Sequence, residues 1–304
     1  MNSTTPLSYT AQVKREILAQ KQWRTTYKKQ LVCGLMHFAQ QYGPAKISLT
    51  TKEEQVARYY ADLVPRLVPL QGSITLLAAE TVNQVTYTVQ VDEQSDRINL
   101  LNYFAMLYPE GVTFDLLGGE NGTAAFLAGA FLACGSIADP EKNYHLEFAP
   151  ANHSSFSQLC DMLTEVGFAP RQTERRGQKL IYFHDSQQIE DMLAFLGCSR
   201  MALEIMGVKI VKERRNVANR LSNCDTANID KTISAATQQI TAITKILEQK
   251  GEDYLSEDLL QLAKIRLQSP ELSLRELGEA LNPPLSRSGV NHRLQRLLKM
   301  AEEL

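Results

Sequence analysis

Apolar residues along this chain follow two rhythms. Over roughly the first two hundred positions, stretches with apolar residues three or four apart alternate with short stretches of every-second-residue alternation. After about position 199 only the helical rhythm persists. Val13, Ile17 and Leu18 mark a helix opened by Thr10, and Leu31, Leu35 and Phe38 mark a second over 26–40, stopped by Gly43-Pro44. A strand over 47–50, a helix over 52–64, a hairpin with arms 73–79 and 85–91, and a helix over 95–107 follow. Pro109-Glu110-Gly111 marks a turn.

The order then recurs. A helix rich in Ala and Gly spans 123–135, a strand 144–148 and a helix 154–166. Hairpin arms 171–174 and 179–184 turn about Gly177, and a helix spans 186–196. Each half reads helix, strand, helix, strand, strand, helix at an offset of about 95 residues, which predicts a duplicated α+β domain over 1–198. Beyond it, a basic helix over 201–221 and a polar helix over 228–249, with Ile229, Ile233, Ile240, Ile243 and Leu247 as a partial stripe, predict a helical arm over 199–250. An all-α domain occupies 251–304.

Composition narrows the class. With 44% hydrophobic and 22% charged residues in 304, the chain has the makeup of an ordinary folded protein. The net charge of -2 means that any nucleic-acid contact comes from local basic patches. The five cysteines (Cys33, Cys134, Cys160, Cys198, Cys224) are odd in number with no C-x-x-C spacing, so neither a disulfide framework nor a zinc site is indicated. The N-terminus is polar, and the apolar run around 126–133 is far short of the ~20 residues that span a bilayer. A cytoplasmic, nucleoid-associated protein with no membrane partner, metal or cofactor is expected. Cys134 and His145 are close enough in sequence for a catalytic pair, against which stands the usual role of a free cysteine as a small buried hydrophobe.

The tail holds the sharpest chemistry. A helix over 259–267 ends at Ser269-Pro270. Ser273 and Glu276 form a capping box for the next helix, and Asn282-Pro283-Pro284 enforces a turn. Ser286 caps a last helix with Val290, Leu294 and Leu297 as its buried stripe. This is a helix-turn-helix. Between Arg287 and Lys299 lie four cations, His292 and no acid. Arg287 and Asn291, at i and i+4, share a face with Ser288 and His292, and these residue types read guanine and adenine edges. Ser286, Arg293 and Arg296 complete the candidate set. A solvated face on an ordinary helical hairpin is the alternative.

In the arm, Lys209, Lys212, Arg214, Arg215 and Arg220 face one acid, Glu213, with Asn216, Asn219 and Asn223 interleaved. Phosphate contact by the arm, Arg214, Arg215 and Arg220 above all, and an interdomain hinge are two open readings.

Three stretches, 126–148, 215–232 and 273–294, resemble the WhiA family of Gram-positive bacterial regulators, with the weakest match over the first hundred residues. The resemblance implies a degenerate domain of the LAGLIDADG homing-endonuclease fold followed by a helix-turn-helix. It implies a non-catalytic transcriptional regulator of sporulation, or of cell division and chromosome segregation. The expected partners are double-stranded DNA and a second transcription regulator or RNA polymerase. A low-specificity nucleoid scaffold and an active endonuclease are the rivals. The endonuclease motif helix ends in an acid that holds a divalent cation. In the second repeat (127–135) Cys134 takes the acid's place. In the first (31–38) Phe38 is aligned there. Asp139 follows the second motif helix in what reads as a turn. Arg171, Arg175, Arg176 and Lys179 cluster on the second hairpin, either facing a groove or as a solvated tip.

Overall fold

The computed structural model describes residues 7–81, 84–108, 111–151 and 153–304, so Pro109 and Glu110 of the expected turn lie outside the described residues. The chain divides between Lys212 and Glu213 into two compact units.

In the first unit, α1 (Tyr9–Ala19) and α2 (Lys21–Arg24) precede two repeats. The first is α3 (Lys28–His37), β1 (Gln41–Tyr42), β2 (Ile47–Thr51), α4 (Glu54–Leu67), β3 (Ile74–Thr81), β4 (Gln84–Val91) and α5 (Gln94–Leu107). After α6 (Phe114–Leu117), the second is α7 (Glu120–Cys134), β5 (Gly135–Ile137), β6 (Leu146–Phe148), α8 (His153–Glu165), β7 (Arg171–Arg175), β8 (Gln178–Phe183) and α9 (Ser186–Phe195). Each repeat builds an antiparallel four-stranded sheet of the same order, β1-β2-β4-β3 and β5-β6-β8-β7. The duplication read from the pattern is therefore the architecture. The opening strands β1 and β5 escaped the pattern because two or three residues are too few to show alternation. The helix expected over 26–40 is the shorter α3 (Lys28–His37), and the one-turn α2 before it was not expected. Helix α4 runs through Pro65 to Leu67, past the stop expected at Val64. A proline in the last turn forfeits one N–H bond without unmaking the turns before it.

Strand alternation turns Leu49, Val89, Ile181 and Phe183 toward one core shared by both repeats. At its centre α3 crosses α7. Helix α7 is buried on every side from Gly122 to Ala133, which explains why it is apolar all round. The crossing is reciprocal. A Cβ on Gly34 would run into the carbonyl of Phe126 and meet the amide of Ala130, and one on Gly129 would run into the carbonyl of Leu31 and meet the amide of Leu35. Gly34 and Gly129 are thus equivalent, 95 residues apart (129 minus 34). This corrects the alignment of the first motif. The residue equivalent to Cys134 is Ala39, and Phe38 is equivalent to Ala133.

Over 199–250 the pattern suggested two helices. The structure has one, α10 (Ser199–Lys250), and no proline interrupts its sequence. Its start buries Met201 and Ile205 in the first unit, and its end buries Ile243 and Ile246 in the second. Ile229 and Ile233 of the expected stripe are exposed. The second unit continues with α11 (Glu257–Gln268), α12 (Leu274–Ala280) and α13 (Arg287–Glu302) around Leu259, Leu262, Leu277, Leu281, Val290, Leu294 and Leu297.

Gly129→Ala is expected to destabilise the fold by about 3 kcal/mol or more, because backbone and not a mobile side chain must give way. Gly43→Ala, whose added Cβ meets nothing within 4 Å, is the control. Urea denaturation of the full chain checks both.

Candidate nucleic-acid interface

Helix α13 is positioned by its N-terminal turn and its underside. Ser286 Oγ accepts from the amide of Gly289 at 3.3 Å, satisfying one of the donors every helix start leaves open. Helix α12 begins with the expected capping box of Ser273 and Glu276. Hydrogen bonding to the Ser273 backbone holds the Glu276 carboxyl below its ordinary range. Gly278 lets α12 approach the α12–α13 turn. Its carbonyl accepts from the Leu285 amide at 2.9 Å, and a Cβ there would strike the Leu285 carbonyl. Arg266, 2% exposed, spans the turn before α12 by donating to the carbonyls of Pro270 (3.2 Å) and Leu272 (2.7 Å).

Val290, Leu294 and Leu297 are buried, so the opposite face of α13 is turned outward. Ser286, Arg287, Ser288, Asn291, His292 and Arg296 are all exposed. Arg293 sits otherwise. It is only part-exposed, its Nε lies 3.4 Å from Asp258 Oδ2, and its Nη1 donates to the Asp258 carbonyl at 3.4 Å. It ties α13 to the start of α11. Gln295 and Lys299, outside the expected set, are exposed one turn apart on the face of Asn291. The helical spacing Asn291, Gln295, Lys299 was the signal available for them. The exposed face from Arg287 to Lys299 therefore pairs amides that match adenine edges with cations, and carries no acid.

The basic arm divides. Lys209 Nζ lies 3.7 Å from Glu190 and 3.4 Å from Gln187 Oε1. Lys212 donates to the Pro140 carbonyl at 2.7 Å and sits 4.7 Å over the Tyr144 ring. These two belong to the first unit. Arg214 and Arg215 are exposed and make no ion pair among the described residues, and Arg220 donates to the Asn216 carbonyl one turn back.

The outer faces of the two sheets differ. On the first, the outward rows read Thr75 and Leu77, Thr86, Thr88 and Gln90, and Thr50, with no cation within these strands, and the Asp92 carboxylate just after β4 accepts from Thr75 and Gln90. On the second, Arg171, Thr173 and Arg175 line β7 beside Tyr182 and Gln178. Arg175 pairs with Glu147 at 3.2 Å, Lys179 lies 5.6 Å over the Phe156 ring, and Arg176 makes the hairpin turn at φ 53°.

At the ends of the motif helices no carboxylate stands in the acid's position. Ala39 is buried, and burial pushes the Cys134 thiol up to about 12 despite the nearby Lys14. His145 is 3.1 Å from Glu147 and stacked on Tyr182, so it is engaged away from the thiol. Asp139 makes the turn expected of it, accepting from the amides of Glu141, Lys142 and Asn143. Lys14, absent from the expected site, is buried here and donates to the Leu132 carbonyl at 3.0 Å, near the C-terminus of α7. Burial lowers its ammonium to about 8, against smaller opposing effects of Cys134 and Glu53. No group of three or more His, Cys, Asp or Glu suited to a metal ion occurs among the described residues, and no described helix is long and apolar enough to cross a membrane.

Two glycine-crossed α+β repeats, with a helix-turn-helix after them, define the class: a LAGLIDADG-type domain joined to a helix-turn-helix domain. The family model for the WhiA C-terminal HTH domain matches residues 218–301, and that for the WhiA LAGLIDADG-like domain matches residues 123–215. A probable cell division protein WhiA from Clostridium tetani is 30% identical over 313 residues, covering 98% of both chains. A protein of the same name from Clostridium acetobutylicum is 40% identical over 223 residues, 73% of this chain and 68% of that one. The full-length DUF199/WhiA structure from Thermotoga maritima covers 98% of this chain and 99% of that chain at a TM-score of 0.57 and 24% identity, a likeness of fold. The chain belongs to the WhiA family.

A buried ammonium held at about 8, against an ordinary 10.5, disfavours the folded state when charged. Between pH 8 and 10.5 the unfolded chain binds more protons, so stability rises with pH across that window. Below 8 the full penalty, on the order of 3 kcal/mol, applies. Lys14→Met is expected to stabilise the protein at pH 7 by about 1–3 kcal/mol, net of the lost bond to Leu132. The gain should shrink toward zero by pH 10.5. Paired urea melts across this range measure it.

Proposed function

We propose that this protein is a double-stranded-DNA-binding transcriptional regulator acting in cell division, with α13 as the helix that reads the major groove. The outward, acid-free face from Arg287 to Lys299 carries this reading. Arg287, Asn291 and Gln295 are the base-edge candidates, with Ser288 and His292 beside them. Ser286, Arg296 and Lys299 serve the phosphates, and Arg293 holds α13 in place. Arg214, Arg215 and Arg220 add sequence-independent phosphate contacts, whereas Lys209 and Lys212 secure the arm to the first unit. The names of the Clostridium relatives support the division role. Control of sporulation genes or of chromosome segregation, and a second regulator or RNA polymerase as partner, are finer forms of the same proposal. The LAGLIDADG-type domain is read as a non-cleaving platform, supported by Cys134 and Ala39 in the acid positions.

One titration series tests the DNA reading. Arg287→Ala and Asn291→Ala should each cost about 1–3 kcal/mol at the preferred site and relax its sequence preference. Arg296→Ala should weaken all duplexes alike. The double change Arg214→Ala/Arg215→Ala should flatten the slope of log affinity against log salt by an amount on the order of one to two. Unchanged site affinity for the first two variants rules out α13 as the reading helix. Equal affinity for all duplexes would instead identify a low-specificity scaffold.

Purified protein incubated with supercoiled plasmid and Mg²⁺ or Mn²⁺, with an EDTA control, is expected to leave the plasmid intact. Metal-dependent nicking that co-purifies with the protein and is lost in Asp139→Asn would overturn the non-cleaving reading.

A further inference from the structure

Where the motif helices end, a cavity of about 570 Å³ opens between the two repeats of the first unit. Helix α1 lines it with Ser8, Thr10 and Lys14, the first repeat with Thr50, Thr51, Lys52 and Glu53, and the second with Cys134, Ser136 and Gln178. Its size suits a small molecule. We propose that this cavity binds a small phosphate-bearing ligand, with the Lys14 ammonium as its central donor and Ser8, Thr51 and Lys52 around it. The proposal does not depend on the DNA reading of α13.

The donor inventory is the first argument. Lys14 is 7% exposed, and of its three N–H donors one is used, toward the Leu132 carbonyl. Ser8 Oγ accepts from the Ala11 amide and Thr51 Oγ1 from the Glu53 amide, which leaves both hydroxyl protons for another acceptor. Lys52 is exposed at the same wall and makes no ion pair among the described residues. Against these donors the lining holds one carboxylate, Glu53. A wall with a surplus of donors and a net positive charge is complementary to an oxyanion. Lysine serves phosphate as a point charge.

The second argument is the burial of Lys14 itself. A buried ammonium with idle donors is costly, and an apolar side chain of similar volume would pack there more cheaply. The one hydrogen bond of Lys14 among the described residues is to Leu132, and the electrostatic help of Cys134 and Glu53 is smaller than the cost of burial. An incoming phosphate would supply acceptors for the two remaining N–H donors and add negative charge beyond that of Glu53. A small ligand is favoured over a DNA strand because the strands of the adjoining first sheet, where Thr50 and Thr86 border the cavity, add no cation to Lys52, and the Asp92 carboxylate stands against Thr75 and Gln90 on the same face.

The test is calorimetric titration of the full chain with inorganic phosphate, pyrophosphate and adenosine monophosphate, each probed separately, with thermal melts as a second readout. Saturable binding of at least one probe is expected. Lys14→Met should weaken it tenfold or more while the protein stays folded, and Lys52→Ala should weaken it about threefold. Glu53→Gln should tighten it about threefold, since it removes the one opposing charge. That increase is a change a merely structural role would not produce. If Lys14→Met fails to fold, the opposite shifts of Lys52→Ala and Glu53→Gln carry the test. Absence of saturable binding for all three probes at millimolar concentration overturns the proposal. So does binding that neither Lys52→Ala nor Glu53→Gln alters. Loss of duplex-DNA affinity in Lys14→Met without binding of any small probe also overturns it, by giving the cavity to DNA.

Discussion

The first unit depends on how closely two helices approach at Gly34 and Gly129. Each glycine faces the backbone of the other helix with no room for a Cβ. That contact sets the distance between the repeats. It brings their sheets to one core and places the ends of both motif helices side by side. Helix α7 is buried almost throughout because it serves this contact on one side and its own sheet on the other. Interiors packed at crystal density leave such a contact little tolerance.

The same contact holds the motif-helix geometry whatever residues stand at the helix ends. Close packing of α3 against α7 requires small residues at the crossing and says nothing about the residues five positions later. Those positions hold Ala39 and Cys134, neither of which is an oxygen ligand for Mg²⁺. In place of a carboxylate with a bound cation, the chain has the half-buried Cys134 thiol and the Lys14 ammonium near the negative end of α7. The local charge is still positive, but it is covalently attached and comes from another helix.

The second unit separates its positive charges by function. Arg266 and Arg293 turn inward, one spanning a turn through two carbonyls and the other bound to Asp258. Arg287, Arg296 and Lys299 turn outward. Charge counting along α13 treats Arg293 and Arg296 alike. The difference is that Arg293 falls on the flank of α13 facing the start of α11, where the carboxylate and the backbone carbonyl of Asp258 accept from it. Likewise Lys209 and Lys212 find Glu190, Pro140 and Tyr144, whereas Arg214 and Arg215, one turn on, find no such partners among the described residues.

The sequence by itself determined whatever depends on neighbours along the chain. The period-two and period-3.6 patterns placed most helices and strands within a few residues, and the offset of about 95 residues between the halves is that of Gly34 and Gly129. Capping at Ser273 and Ser286 is local, so the helix-turn-helix was legible down to its N-caps. Tertiary structure alone decided what depends on contacts across the fold. It showed that Ala39 is the counterpart of Cys134, because only the reciprocal helix crossing fixes the register where the first repeat's sequence has diverged. It turned Arg293 away from the outer face, toward Asp258. It also set Lys14 beside Cys134, 120 positions away in the chain (134 minus 14), since burial and electrostatic partnership are properties of neighbours in space that no pattern along the chain encodes.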